Sequence, residues 1–227
     1  VVMRTPGEEI FHAAGFCLAE GLVDRPEDFA TVGYCDEMDP NVVSIKLRPE
    51  RRKKVSALLK RRGFVSQTSC GICGKEMIKD LCQILTPITD EVKFNVSQAI
   101  ACADQLAQYQ DLYEKTCSSH AVMLYDSQLG VLAVAEDVGR HNALDKAIGK
   151  VFMGGQLAKA RLAVLSSRIS YELVQKAGRA QLPVLVSFSR PTVLAVELAQ
   201  KLNMTLACMK YESGLLVFCG EERLISD

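Results

Sequence analysis

Two thiols at C-x-x-C spacing, Cys70 and Cys73, lie in the stretch Ser69-Cys70-Gly71-Ile72-Cys73-Gly74-Lys75. Gly71 and Gly74 permit a tight, left-handed backbone and leave both sulfurs uncovered. Lys75 stands where the first turn of a helix is expected. A cation and a helix N-terminus both favour the thiolate, which is the nucleophilic and metal-binding form of cysteine. Two chemistries compete for such a pair: half of a zinc site, or a reactive thiol couple. A structural zinc needs four ligands, usually a second C-x-x-C or paired histidines. The other cysteines, Cys17, Cys35, Cys82, Cys102, Cys117, Cys208 and Cys219, form no second pair, and His12, His120 and His141 are scattered. A glycine-rich turn that holds two cysteines by chance is the minor alternative. Reactive sulfur chemistry leads, and no structural metal is expected.

A second group of residues recurs where strands are expected to hand over to helices. In open α/β sheets, ligands collect beyond the carboxyl ends of strands, where the next helix begins. Three such junctions carry an arginine: Glu136-Asp137-Val138-Gly139-Arg140-His141-Asn142, Ser166-Ser167-Arg168-Ile169-Ser170, and Phe188-Ser189-Arg190-Pro191-Thr192. In the last two, Ser-Arg and one further residue precede Ser170 or Thr192, hydroxyls placed to cap a helix. Free N–H groups at a helix start suit an anion, and arginine adds a bidentate fork matched to phosphate. Three junctions in one sheet predict a site for a large, multiply phosphorylated ligand. At the first, His141 and Asp145 are four apart, so they share a helix face, and Asp145 is expected to orient the imidazole. A buried structural pair and a catalytic one are both open. Glu136 and Asp137 are expected either to bind Arg140 or to accept from a guanine edge.

The elements that must position these groups follow from periodicity and punctuation. A helix is expected over 8–20 and a strand over 42–47. A basic helix follows over 48–62, whose charge reads as a solvated face, with docking of phosphates or an acidic partner the minor reading. Residues 1–7 read as a strand end and a turn. A patterned amphipathic helix covers 95–106. Strands at 121–125, 131–135, 162–165, 184–188, 205–209 and 215–218 alternate with helices at 141–152, 170–177 and 192–202. Hairpin pairs at both ends and β-α-β units between them imply a three-layer α/β/α domain with a mixed sheet. The expected division is an N-terminal α+β subdomain over 1–65, the C-x-x-C loop and a linker over 66–90, and the main domain over 91–227.

Composition narrows the partners. At 227 residues the chain builds a sizeable core, and 27 basic against 27 acidic residues leave no global field to gather nucleic acid. No apolar run reaches the length of a membrane span and no signal peptide is visible, so no membrane partner is expected. The sequence opens on Val1 and not Met, as a trimmed N-terminus would. Nine cysteines, an odd number and mostly in apolar patterns, suit a reducing cytoplasm better than a secreted disulfide framework.

The chain resembles the formate dehydrogenase accessory sulfurtransferase family (FdhD). The resemblance is carried by Met3-Arg4-Thr5-Pro6-Gly7, the Cys70-Gly71-Ile72-Cys73-Gly74 loop, and the string from Glu136 through Asp137-Val138-Gly139-Arg140-His141-Asn142-Ala143-Leu144-Asp145 to Lys146. Ser166-Ser167-Arg168 and Ser189-Arg190-Pro191-Thr192 complete it. These segments span nearly the whole chain in order. The family implies a cytidine-deaminase-like main domain. It also implies that a cysteine desulfurase passes sulfur to a cysteine as a persulfide. That sulfur then goes to the molybdenum of the bis-molybdopterin guanine dinucleotide cofactor, the substrate here, which formate dehydrogenase requires. By motif position Cys70 bears the persulfide, with Cys73 as helper. Phe188, Ser189, Arg190, Pro191, Thr192 and Val193 match the cofactor-binding segment, to which the junction analysis adds Ser167, Arg168, Arg140 and His141. A homodimer is expected. The family's C-terminal Gly-Phe-x-Arg-Gly turn has no match over 208–214, so no contact from that arginine is carried over. Zinc deamination, which shares the fold, is disfavoured: Val134 precedes Ala135-Glu136 where a ligand is needed, and the C-x-x-C comes too early. The alternative function is a cofactor-binding chaperone with structural thiols.

Overall fold

The computed structural model describes residues 2–35, 41–61, 85–210 and 214–226. In chain order the elements are α1 (Glu9–Ala19), β1 (Phe29–Tyr34), β2 (Val43–Leu47), α2 (Pro49–Arg61), β3 (Phe94–Asn95), α3 (Val96–Leu106) and α4 (Asp111–Thr116). Then come β4 (His120–Tyr125), β5 (Val131–Asp137), α5 (Arg140–Met153), β6 (Leu162–Arg168), α6 (Tyr171–Arg179) and β7 (Val184–Ser189). The chain closes with α7 (Val193–Lys201), β8 (Thr205–Met209), β9 (Leu215–Cys219) and β10 (Leu224–Ile225).

Six strands form the main sheet in the order β5-β4-β6-β7-β8-β9. The turn at 126–130 folds β4 against β5 as an antiparallel hairpin, with Asp126 Oδ1 accepting from the N–H groups of Gln128 and Gly130. β6, β7 and β8 run parallel, because a helix connects each to the next. β4 is antiparallel to both β5 and β6, so β5 points the same way as the parallel trio. The carboxyl ends of β5, β6, β7 and β8 therefore share one edge of the sheet, which gathers all three arginine junctions there.

Strand alternation divides the core in two. Val122, Leu124, Ala163, Leu165 and Leu185 pack against α1, α5, α6 and α7 on one face. Ala121, Met123, Tyr125, Leu162, Val164 and Val186 pack against α3 on the other. The expected three-layer arrangement with a mixed sheet is thus the one observed. Asn95 opens α3, its backbone N–H donating to Gln98 Oε1 at 3.0 Å.

α1 reaches the sheet by lying on α5 at very close range. A Cβ on Gly15 would fall 1.9 Å from the Asp145 carbonyl oxygen, and one on Gly149 would fall 1.9 Å from that of Phe11. Only a hydrogen at both positions lets the two backbones touch. α1 thereby shares its core with the sheet, while β1 and β2 pair in a separate two-stranded ribbon.

Several elements differ from expectation. Residues 2–5 form no strand: their backbone groups bond to side chains of α5 and the end of β5 and not to a neighbouring strand. β1, the short α4, and the two-residue parallel pairing of β3 with β10 add to the expected elements. Each is too short or too weakly patterned to register as a periodicity.

Candidate functional site

The string from Glu136 to Lys146 runs from the end of β5 into α5, and most of it is consumed internally. The carboxylate of Glu136 accepts from the backbone N–H groups of Leu112 (2.7 Å) and Tyr113 (3.0 Å) and from Ser119 Oγ (2.8 Å), so it caps α4. Asp137 is fully buried and pairs with Lys146 at 2.8 Å. It also accepts from the N–H groups of Thr5 and Gly139 and from Asn142 Nδ2. Asn142 Nδ2 donates to Met3 O, and Lys146 Nζ to Thr5 O. These bonds stitch the Met3–Thr5 stretch onto the motif. Arg4 extends the anchor by pairing with Glu9 at 2.6 Å. Burial alone would raise the Glu9 carboxyl, but donation from the Gly7 N–H, its own N–H and Arg4 holds it down at about 2. Neither Glu136 nor Asp137 binds Arg140, contrary to the first sequence expectation. Their oxygens are occupied, which removes the guanine-edge reading as well.

Asp145 also departs from expectation. Its carboxylate takes Lys176 Nζ of α6 at 2.8 and 2.7 Å, both side chains being buried. Lys176 Nζ also lies 5.5 Å from the centre of the Phe16 ring, so this pair locks α1, α5 and α6 together. His141 turns the other way. Its Nε2 stands 3.3 Å from Ser170 Oγ and 3.8 Å from Glu172 Oε2. The physical reason is reach: α6 brings a lysine to Asp145 that a pattern on α5 alone does not reveal. Ser170 lacks the expected cap bond, because its hydroxyl faces His141. His141 is the foremost cause that lowers Glu172, overcoming its burial; Ser170 and the residue's own N–H add to it, and the carboxyl is held at about 2.

With Glu136, Asp137, Asn142, Asp145 and Lys146 occupied, Arg140 and His141 are the polar members of the string left to face the carboxyl edge. The other two junctions lie beside them. Arg168 is the register partner of Ser189 across the parallel β6–β7 pair, and Thr192 N donates to Ile169 O at 3.0 Å. Thr192 caps α7, its hydroxyl accepting from Ala195 N at 3.3 Å. Ser167 is buried and donates to the Arg168 carbonyl, whereas Arg168, Ser189 and Arg190 are exposed. The charge of Arg190 eases the Cys208 thiol of β8 down against the larger upward push of burial. Pro191 is half-buried, and Phe188 and Val193 present exposed apolar surface, 41% and 75%, on either side of the arginine. An arginine-rich rim flanked by uncovered apolar side chains suits a ligand with phosphates and flat rings.

His120 joins this edge although nothing in its sequence context singles it out. It opens β4 opposite Asp137. Burial lowers its imidazole, and the charges of Arg140 and His141 lower it further. Only the antiparallel β4–β5 pairing brings it to Arg140 and His141; no spacing connects it to them. His12 is buried in α1 with its Nε2 unpartnered.

Cys70 and Cys73 lie outside the described residues, as do Lys75 and Cys82. The described cysteines divide into buried and exposed. Burial pushes Cys17 up to about 12 and Cys102 up to about 11, and it also raises Cys208 and Cys219. These four are inert core thiols, and Cys35 and Cys117 are exposed. Among the described residues, no cluster of three His, Cys, Asp or Glu is placed to hold a metal ion, and no helix is long and apolar enough to cross a membrane.

Comparison with known proteins identifies the lineage. The model of the FdhD/NarQ family matches residues 1–225. The chain belongs to this family. Among FdhD/NarQ relatives it is similar to the sulfur carrier protein FdhD of Xanthomonas campestris pv. campestris, 34% identical over 99% of this chain and 79% of that protein. It is also similar to the sulfur carrier protein FdhD of Mycobacterium tuberculosis, 35% identical over 99% of this chain and 85% of the relative. A crystal structure of a protein described as a putative formate dehydrogenase accessory protein from Desulfotalea psychrophila superposes with a TM-score of 0.75. It is 21% identical and covers 98% of this chain and 82% of its own, a likeness of fold.

Proposed function

We propose that this FdhD/NarQ protein is a sulfur carrier that serves the maturation of formate dehydrogenase. In this reading Cys70 accepts sulfur from a cysteine desulfurase. The Cys70 thiolate attacks the outer sulfur of the donor's persulfide, the donor's S–S bond breaks, and the donor cysteine leaves as a thiolate. Cys70 then carries the sulfur as a persulfide, with Cys73 as its helper. The recipient is the molybdenum of a bis-molybdopterin guanine dinucleotide cofactor, bound as substrate along the carboxyl edge. Arg140, Arg168 and Arg190 face its phosphates. Phe188 and Val193 offer apolar surface to its rings.

One observation carries the cofactor half of this reading: three arginine junctions, far apart in sequence, converge on one sheet edge. Family membership and the sulfur-carrier role of the relatives carry the sulfur half, together with the burial that silences Cys17, Cys102, Cys208 and Cys219. The test is intact-mass measurement after incubation with a cysteine desulfurase and free cysteine. The expected result is one added sulfur, retained in Cys117→Ala and lost in Cys70→Ala. A mass gain that survives Cys70→Ala overturns the assignment, and one lost only in Cys73→Ala exchanges the two roles. No gain in the wild type leaves cofactor binding by a chaperone with structural thiols as the function.

A further inference from the structure

The carboxyl edge holds a second cluster beyond the two Ser-Arg turns. His120 is the antiparallel partner of Asp137, and Arg140 begins α5 just past that aspartate. Strand alternation sends His120 to the face of Val122 and Leu124, the one covered by α5 and α6. Arg140 and His141 both act on it there. Arg140 Nε is buried with no hydrogen-bond partner. Among the described residues, no carboxylate forms an ion pair with Arg140 or His120.

The surrounding charges do not cancel this cluster. From β5, Asp137 is neutralised by Lys146 and Glu136 is turned onto α4 and Ser119. β6 offers the Ser167 hydroxyl, and its charge comes only with Arg168. From α6, Glu172 faces His141 at 3.8 Å. One carboxylate thus stands against a guanidinium and two imidazoles. Arg140 converges on the two imidazoles without an ion-pair partner of its own, which is unfavourable unless an anion joins it.

We propose that His120, Arg140 and His141 form a second oxyanion subsite, which takes a phosphate group of the ligand whose other phosphate lies at Arg168 and Arg190. The proposal rests on reading the edge as a cradle for a guanine dinucleotide. It adds a division of labour: one subsite of fixed charge, and one whose charge follows protonation. Burial first, then Arg140 and His141, keep His120 neutral near neutral pH. A phosphate beside it favours the imidazolium, so binding takes up a proton. Affinity then rises as pH falls, until His120 is protonated in the free protein as well, and gains nothing below that.

Imidazole NMR on the full chain tests this, because it has only three histidines. The signal missing from His120→Gln identifies the residue. Inorganic pyrophosphate is the probe for the subsite, and GDP for the cradle. Pyrophosphate is expected to raise the pH at which His120 is half-protonated. A rise of about one pH unit would mean about tenfold tighter binding to the protonated form. Calorimetric affinity should weaken as pH rises from about 6 to about 8, by less than that tenfold limit because His120 is held below its usual value. That fall should flatten in His120→Gln; the ligand's own titration is common to both proteins and cancels in their ratio. An unmoved His120 midpoint at millimolar pyrophosphate, or an unchanged pH profile in His120→Gln, overturns the subsite. If GDP binding is lost in Arg190→Ala yet indifferent to His120→Gln, the subsite falls and the cradle stands. If pyrophosphate moves His120 while Arg168→Ala and Arg190→Ala leave GDP binding unaltered, the cradle falls and the oxyanion subsite stands.

Discussion

Arg168, at the end of β6, is in parallel register with Ser189, at the end of β7. That single pairing sets two Ser-Arg turns side by side and gives a phosphate two guanidinium forks to choose from. GDP, a fragment of the proposed substrate, should therefore bind to the wild type. Removing either fork in Arg168→Ala or Arg190→Ala should cost about 1.5–3 kcal/mol, the range for hydrogen bonds to charged groups, which is on the order of tenfold or more in affinity. Arg190→Lys should restore only part, since charge returns without the bidentate geometry. Calorimetry on the four proteins measures this, and equal affinities would reduce both turns to ordinary helix starts.

The contact between Gly15 and Gly149 predicts where the fold is least tolerant. In Gly15→Ala the new methyl would sit 1.9 Å from a backbone oxygen, which cannot swing aside as a side chain can. The two helices must separate, at a cost at or above the upper end of the roughly 1–3 kcal/mol seen for overpacked cores. Gly33→Ala, with nothing within 4 Å of its Cβ, is the control and should hold its midpoint. Thermal and urea unfolding of both variants decide the matter.

Asp145 and Lys176 form a buried pair, so losing one partner strands the other. Asp145→Ala should destabilise by about 3–5 kcal/mol, and Lys176→Met should recover a part of that loss when combined with it. His141→Ala, which leaves the pair intact, should unfold near the wild-type midpoint. A fall as large as that of Asp145→Ala would mean that the imidazole is structural after all.

Glu172 gives a pH signature. Its carboxyl is held at about 2, with His141 as the largest cause. His141→Ala should raise it toward the usual value of 4.5, readable by carbon NMR of the carboxylate. A folded value below the unfolded one stabilises the protein above the unfolded value, and that contribution fades as pH falls from about 4.5 to about 2. The wild type should therefore lose stability over this window more steeply than His141→Ala. The side chain is about a third exposed, so the difference will be modest.

The alternation of strands and helices, the three arginine junctions and the thiol pair are legible in the residues alone. Each of these is written locally: period-2 and period-3.6 patterns, turn residues, and motif spacing need no partner element to be read. The family is legible there too, through segments such as the run from Glu136 to Lys146. What those residues touch was set by the packing of distant elements. Asp137, Asn142 and Lys146 look like chemistry in the string but anchor Met3 and Thr5, because a chain segment more than a hundred residues away returns to them. Asp145 lies four residues from His141, yet α6 presents Lys176 to it, and a full buried charge outcompetes a neighbouring imidazole. His120 had no signal at all, since its neighbours come from the far side of a hairpin. Backbone pairing across the sheet, which no one-dimensional spacing encodes, brought Arg140, His141, Arg168 and Arg190 to one carboxyl edge.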